Sequence, residues 1–179
     1  MTNPVESNTV KLAEDEFARL LGESIARWQQ VELHLCGLFH ALHGGDDRDI
    51  PNAIYHAVHS FEVKLAMIDA LIRTRPLNAA ISSRWATLQR AIKRRKQIRD
   101  KFVHWSIVSL VPNKVFEGVF LTPPISDFRI YNRPDYMKPS SGMMSADDLR
   151  RHGEEFDKQA QEVREFRGQV LTALPKKSR

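Results

Sequence analysis

Arg99 and His104 are two residues whose side-chain types could perform chemistry on a phosphate group. A guanidinium group stays charged and presents a planar fork of donors that matches the oxygens of a phosphate. Histidine has an ordinary pKa near ~6.5, so it can accept or donate a proton at neutral pH. This pair therefore predicts a site that holds a phosphodiester and moves a proton while the ester is cleaved.

Positive charge is concentrated around this pair. Between Arg84 and Lys101 the chain carries eight basic residues and one acid, whereas all 179 residues together have a formal net charge of +5. A basic stripe of this kind permits a nucleic-acid partner without requiring one. The residues expected to hold RNA phosphates beside the cleaved bond are Arg95, Lys93, Arg94, Lys96 and Lys101.

The helix that must position these residues has an unusual apolar face. At alternating spacings of four and three, one face of a helix from about Asn78 to His104 carries Ile81, Trp85, Leu88, Ile92, Arg95, Arg99 and Phe102. Two positions that should be apolar are arginines, and an unpaired buried charge is very costly. Glu32, at the edge of the apolar face of an earlier helix, is the natural structural partner. Two alternatives stay open: an Arg–Glu pair that fixes helix register, or a slightly rotated helix that exposes the arginines.

The same periodicity predicts three further helices. The first runs from about Asp15 to His43 and ends at Gly44, and the second runs from Pro51 to about Thr74. The last begins at Ser145, where Asp148 three residues later makes an acidic variant of the capping box. The apolar face predicted for the first helix carries Phe17, Leu21, Ser24, Trp28, Val31, Leu35, Leu38 and Leu42.

Residues 105–144 depart from helical periodicity. Short apolar runs separated by turn residues predict a small β-hairpin there, followed by a loop. The expected fold class is mainly α: an up-down four-helix bundle with a β-hairpin insertion between helices 3 and 4. We expect one domain over 1–179, with a flexible arm at 1–12 and a basic tail at 175–179.

The segment Arg99-Asp100-Lys101-Phe102-Val103-His104 resembles the R-x4-6-H motif of the HEPN superfamily, in which a polar residue usually follows the arginine. Its place late in a long helix of a helical bundle is also similar, as are Trp28 and Glu32 on an early helix. The resemblance covers the helical core, about residues 15–104 and 145–174, and leaves the hairpin as an insertion. It implies that Arg99, Asp100 and His104 are catalytic residues.

RNA suits such a site because its own 2′-hydroxyl is the nucleophile. Cleavage then requires a base near that hydroxyl, an acid near the 5′-oxygen and positive charge on the phosphate. One histidine per chain is few for both proton transfers, and a helical step of five residues places Arg99 and His104 about 140° apart. Similar proteins pair two protomers so that both motifs meet in one cleft, which implies a homodimer.

The resemblance thus implies a metal-independent endoribonuclease that uses no cofactor and acts on RNA. It further implies a toxin or phage-defence role, with an antitoxin protein as a partner. The alternative is a non-catalytic helical interaction or scaffold protein, or a module that binds nucleotide or RNA without cutting it. The position of Arg99 distinguishes them: it is satisfied inside one chain in a scaffold, and it opens onto a cleft in a nuclease.

Cysteine and histidine usage predicts no metal site. Cys36 is the only cysteine, so no intrachain disulfide and no cysteine-based zinc site are expected. A turn could bring His40 and His43 close to His56 and His59, but the chain lacks the Glu-x-x-His repeats of a di-iron bundle.

The expected location is the cytoplasm. No apolar run approaches the ~20 residues of a membrane span. The first residues carry acids and lack the apolar segment of a signal peptide. These features predict a protein without a membrane partner.

Overall fold

The computed structural model describes residues 4–44, 49–110, 115–124 and 142–175. The elements in these ranges are α1 Pro4–His43, α2 Asp49–Ala57, α3 Phe61–Thr74, α4 Ala79–His104, β1 Ser106–Leu110, β2 Gly118–Thr122 and α5 Ala146–Ala173. The expectation of a mainly helical chain with a small β-hairpin before the last helix is confirmed. A four-helix bundle is not confirmed, since the described ranges contain five helices.

Helix α1 begins earlier in the sequence than the predicted start near Asp15. It begins at Pro4, so positions 4–12, which we expected to form a loose polar arm, are helical. Proline suits the first turn of a helix, and the chain offers no glycine before Gly22 to interrupt it. The predicted end is confirmed, because Gly44 has a positive φ of 74° and its N–H donates to the carbonyl of His40 at 3.2 Å.

The predicted second helix is in fact two helices, and this expectation was wrong. Ser60 caps the start of α3, where its Oγ accepts a hydrogen bond from the Val63 N–H at 3.4 Å. A capping serine stabilises a helix start, so the chain breaks after Ala57 although the apolar spacing continues. The spacing of Ile54, Val58 and Phe61 predicts a buried face through Ile54. On α2, however, Tyr55 is buried and Ile54 is 43% exposed.

The chain divides into two compact units, each made of two stretches of sequence. The first unit contains Met1–Arg27 and Lys96–Glu155, and the second contains Trp28–Arg95 and Phe156–Arg179. Helices α1, α4 and α5 therefore each contribute residues to both units. Within the described ranges, none of the helices is sufficiently long and apolar to pass through a bilayer.

The strands belong to the first unit. They pair antiparallel, with Ser106 opposite Thr122 and Leu110 opposite Gly118, and Leu121 exchanges two 2.9 Å backbone hydrogen bonds with Met144. The largest buried apolar side chains of this unit are Phe17, Leu20, Phe102, Leu110, Phe120, Leu121, Met143, Met144 and Leu149. The third extended piece expected after Ile125, and most of the loop expected up to position 144, lie outside the described residues, as do positions 176–179 of the basic tail.

The predicted start of the last helix is confirmed in detail. The Ser145 hydroxyl accepts from the Asp148 N–H at 3.2 Å, and the Asp148 carboxylate accepts from the Ser145 N–H and hydroxyl at 2.9 Å each. Although partial burial favours its neutral form, these bonds and the charge of Arg151 hold the pKa of Asp148 below its ordinary value. The sequence motif therefore marks a real helix boundary.

Aromatic rings dominate the core of the second unit. The Trp28 ring centroid lies 5.5 Å from that of Phe61 and 5.3 Å from that of Phe156, and Trp85 stacks on Phe166 at 5.7 Å. Aliphatic side chains surround these rings, chiefly Val31, Leu35, Leu38, Leu42, Leu65, Ile68, Ile72, Ile81, Leu88, Ile92, Val163 and Val170. This core buries one face of the part of α4 that belongs to the second unit and leaves Lys93 and Arg94 exposed.

Candidate functional site on helix α4

The apolar face of α4 is the one that the sequence predicts. The helix starts where the Asn78 side chain accepts a hydrogen bond from the Ile81 N–H at 3.0 Å, which is a capping contact. Along the predicted face the buried residues are Ile81, Trp85, Leu88, Ile92 and Phe102. Arg95 and Arg99 occupy the same face and are half-buried, so the alternative in which helix rotation exposes both does not describe the structure.

Asp100 is held between two cations in the first unit. Its Oδ2 lies 2.7 Å from Lys96 Nζ, and its Oδ1 lies 3.4 Å from Arg99 Nη1. All three side chains are 27–32% exposed, so water screens these charges only in part. Because both carboxylate oxygens face cations, Asp100 is better placed to orient Arg99 than to accept a proton from a substrate.

His104 ends α4 and its side chain is exposed. Five residues separate it from Arg99, which on a continuous helix corresponds to ~7.5 Å along the axis and ~140° around it. The half-buried state of Arg99 and the exposed state of His104 agree with that angle. One copy of the helix therefore presents the guanidinium and the imidazole in different directions.

An aromatic and two apolar side chains accompany the histidine. Lys101 places its Nζ 5.0 Å from the ring centroid of Trp105, a cation–π contact. Val103 and Ile107, on either side of His104 in sequence, are 47% and 43% exposed. The end of α4 thus combines exposed apolar surface with basic and titratable groups.

The remaining candidates lie in the second unit. Lys93 and Arg94 are exposed and can reach a ligand in solvent, whereas Arg95 is half-buried. Glu32, the predicted structural partner of the arginines, is half-buried and accepts a hydrogen bond from Trp28 Nε1 at 2.6 Å. This bond explains why Trp28 and Glu32 occur four residues apart, and the pairing of Glu32 with arginine stays a prediction.

A titratable pair that was not predicted from the sequence, His152 and Glu155, lies on α5 in the first unit. His152 Nδ1 lies 2.8 Å from Glu155 Oε2, and the His152 ring packs edge-on against Phe102, with centroids 6.2 Å apart. Phe102 is three residues after Arg99, so this pair stands beside the turn of α4 that carries the motif. The signal for it was present as His-x-x-Glu spacing on the last helix, which places both side chains on one face.

No family model, curated protein or solved structure matches this chain. The function of the chain is therefore inferred from the residues of α4 and from the chemistry that they can perform.

Proposed function

We propose that the chain is a metal-independent endoribonuclease of the HEPN type, in which Arg99 and His104 are the catalytic residues. The observation that carries the proposal is that Arg99 interrupts an apolar helix face and nevertheless keeps 32% of its side chain exposed, so its guanidinium can still reach a phosphate. A charge in such a place reduces the stability of the fold unless a partner compensates it. Without a functional requirement for arginine, an apolar residue would be expected at this position.

In the proposed reaction the 2′-oxygen of RNA attacks the adjacent phosphorus and the bond to the 5′-oxygen breaks. One imidazole removes the proton of the 2′-hydroxyl, and a second protonates the departing 5′-oxygen. The products are a 2′,3′-cyclic phosphate and a free 5′-hydroxyl, so atoms and protons balance. Arg99 stabilises the extra negative charge on the phosphate while bonds form and break.

Two imidazoles at one phosphate are supplied by two copies of the chain, as a two-fold dimer. The exposed Val103 and Ile107 beside His104 support this part of the proposal, because apolar surface next to a site is typical of a contact face. In the dimer, Arg95, Lys93, Arg94, Lys96 and Lys101 contact flanking phosphates. A toxin or defence effector kept inactive by an antitoxin protein is the biological role that such an activity fits, and a cytoplasmic location belongs to the same proposal.

The test is cleavage of a defined RNA by purified protein in EDTA. Wild type is compared with Arg99→Ala and His104→Ala, and the matched controls are Arg90→Ala, an exposed arginine of the same helix, and His59→Ala, an exposed histidine elsewhere. We expect both motif variants to lose about 100-fold or more in rate and both controls to retain it. A substrate with a 2′-deoxy sugar at the cleaved position should be resistant.

A second candidate function is a helical module that binds RNA or a protein partner without cutting. The position of Asp100 between Lys96 and Arg99 favours it, since a carboxylate that neutralises two cations is also what a purely structural site requires. Wild-type cleavage that persists in His104→Ala would end the nuclease proposal. Folded wild-type protein that binds RNA and leaves it intact would establish this second candidate.

A further inference from the structure

A cluster of soft metal-binding donors lies where α1 and α2 meet in the second unit. The Sγ of Cys36 is 3.6 Å from Nε2 of His40 and 3.9 Å from Nε2 of His56. The side-chain oxygen Oδ1 of Asn52 is 3.8 Å from the same sulfur. Thiolate and imidazole are the ligands that Zn²⁺ and chemically similar ions prefer in proteins.

The helices present these donors in two matched pairs. Cys36 and His40 are four residues apart on α1, and Asn52 and His56 are four residues apart on α2. Residues at that spacing share one face of a helix, so each helix offers two donors in the same direction. Cys36 is buried, whereas Asn52 and His56 are exposed.

The distances from the sulfur agree with those in a tetrahedral site. With metal–sulfur bonds of ~2.3 Å and metal–nitrogen bonds of ~2.05 Å, a thiolate and an imidazole on one Zn²⁺ lie ~3.6 Å apart. As they stand, no three or more His, Cys, Asp or Glu side chains in the described part of the chain are grouped so that they could hold a metal ion, so the proposed site requires a side chain to move. The approach of both imidazoles to the sulfur means that an entering ion has to close only the distance between the two nitrogens. His56 is exposed, so its ring can turn without repacking the core.

The phenol of Tyr55 is an independent indication of a ligand at this place. Tyr55 is 2% exposed, and among the described residues its hydroxyl has no hydrogen-bond partner. The Tyr55 ring packs edge-on against the ring of His56, with centroids 5.7 Å apart. Buried polar groups nearly always have a partner, and a water held by an ion would supply one.

We propose that Cys36, His40 and His56 bind one Zn²⁺ or a similar borderline-soft divalent ion, with Asn52 or a water as the fourth ligand. The thiol proton leaves to solvent as the metal–sulfur bond forms. The ion holds α2 against α1 and has no part in the proposed RNA cleavage, so neither proposal depends on the other.

The test is titration of the purified full-length protein with Co²⁺ and with Zn²⁺. Co²⁺ should bind at one ion per chain and show the sulfur-to-cobalt charge-transfer absorption of a thiolate ligand, and Zn²⁺ should displace it. His56→Ala should weaken binding at least tenfold, whereas His59→Ala, an exposed histidine three residues further on, should match wild type. Zn²⁺ at about 100 times its dissociation constant should raise the Tm by about 5 °C or more.

Cys36→Ser should abolish the charge-transfer band. Because Cys36 is buried, the exposed His56 provides the variant that keeps the fold intact and the comparison meaningful. Three results would each overturn the proposal: Co²⁺ bound without sulfur absorption, equal affinity in His56→Ala and His59→Ala, or no binding of either ion at millimolar concentration.

Discussion

The substitution Asp100→Asn separates a structural from a catalytic role for the motif. It keeps the size of the side chain and removes the charge that faces Lys96 Nζ at 2.7 Å and Arg99 Nη1 at 3.4 Å. Pairs four residues apart on a helix contribute about 0.3–0.5 kcal/mol each when water reaches them. With the looser second contact, the total loss of stability should stay below about 1 kcal/mol, a fall in Tm of no more than ~4 °C.

The expected effect on RNA cleavage is larger than this effect on stability. In the proposed nuclease site the carboxylate holds Arg99 at the phosphate, and a displacement of about 1 Å in a catalytic group can lower a rate by ~100-fold. Removing one negative charge from the basic stripe should meanwhile strengthen RNA binding, most visibly at low salt. We therefore expect tighter binding, a kcat reduced at least tenfold, and nearly unchanged thermal unfolding.

Single-turnover cleavage, RNA binding and thermal unfolding on the same preparation measure all three quantities. Asp147→Asn is a matched control, because Asp147 is an exposed acid in the first turn of α5. If Asp100→Asn cleaved at the wild-type rate, the claim that this carboxylate positions Arg99 would be refuted. If Asp100→Asn lowered the free energy of unfolding by several kcal/mol, the role of Asp100 would be structural.

Three further predictions concern stability. Ser145→Ala should lower the free energy of unfolding by about 1 kcal/mol, because Ser145 gives α5 its capping contact. The difference in free energy of unfolding between wild type and that variant should be largest above the unfolded carboxyl pKa of ~3.9. It should shrink as the pH falls through the lowered folded pKa of Asp148, which urea unfolding at several pH values would show. Gly153→Leu should lower the free energy of unfolding by about 1–3 kcal/mol, because an added Cβ would lie 3.0 Å from the Ser24 hydroxyl. Gly168 has open space around it, so Gly168→Ala should raise the free energy of unfolding by about 0.5–1 kcal/mol.

The apolar faces of the long helices were predictable because each is a property of one element. Burial on α1 and α4 follows the predicted seams, including Ser24, whose hydroxyl has backbone oxygens of Leu20 and Leu149 at 2.9 and 3.0 Å. The half-buried position of Arg95 and Arg99 is one of the two alternatives that spacing left open, and the structure was needed to decide between them. A period of 3.6 residues and the absence of a breaker determine the apolar faces whatever the rest of the fold does.

Two boundaries were not predictable from periodicity. The start of α1 lies among polar residues that carry no apolar signal, so nothing in the pattern distinguished a helix from an arm. The break between α2 and α3 is set by Ser60, and a serine caps a helix in one context and merely sits on its surface in another. Whether a serine caps a helix depends on local competition for backbone hydrogen bonds, and the spacing of apolar residues carries no information about that competition.

The cluster at Cys36 shows the same limit at a site. In the sequence His43 follows His40 and His59 follows His56 after three residues, and a turn could bring the two pairs together. His59 instead falls after the end of α2, which removes it from the helical face that carries Asn52 and His56. On α2 the spacing of four pairs Asn52 with His56, and the same spacing pairs Cys36 with His40 on α1. The break after Ala57, which periodicity did not predict, therefore changes which side chains of this region share a helix face.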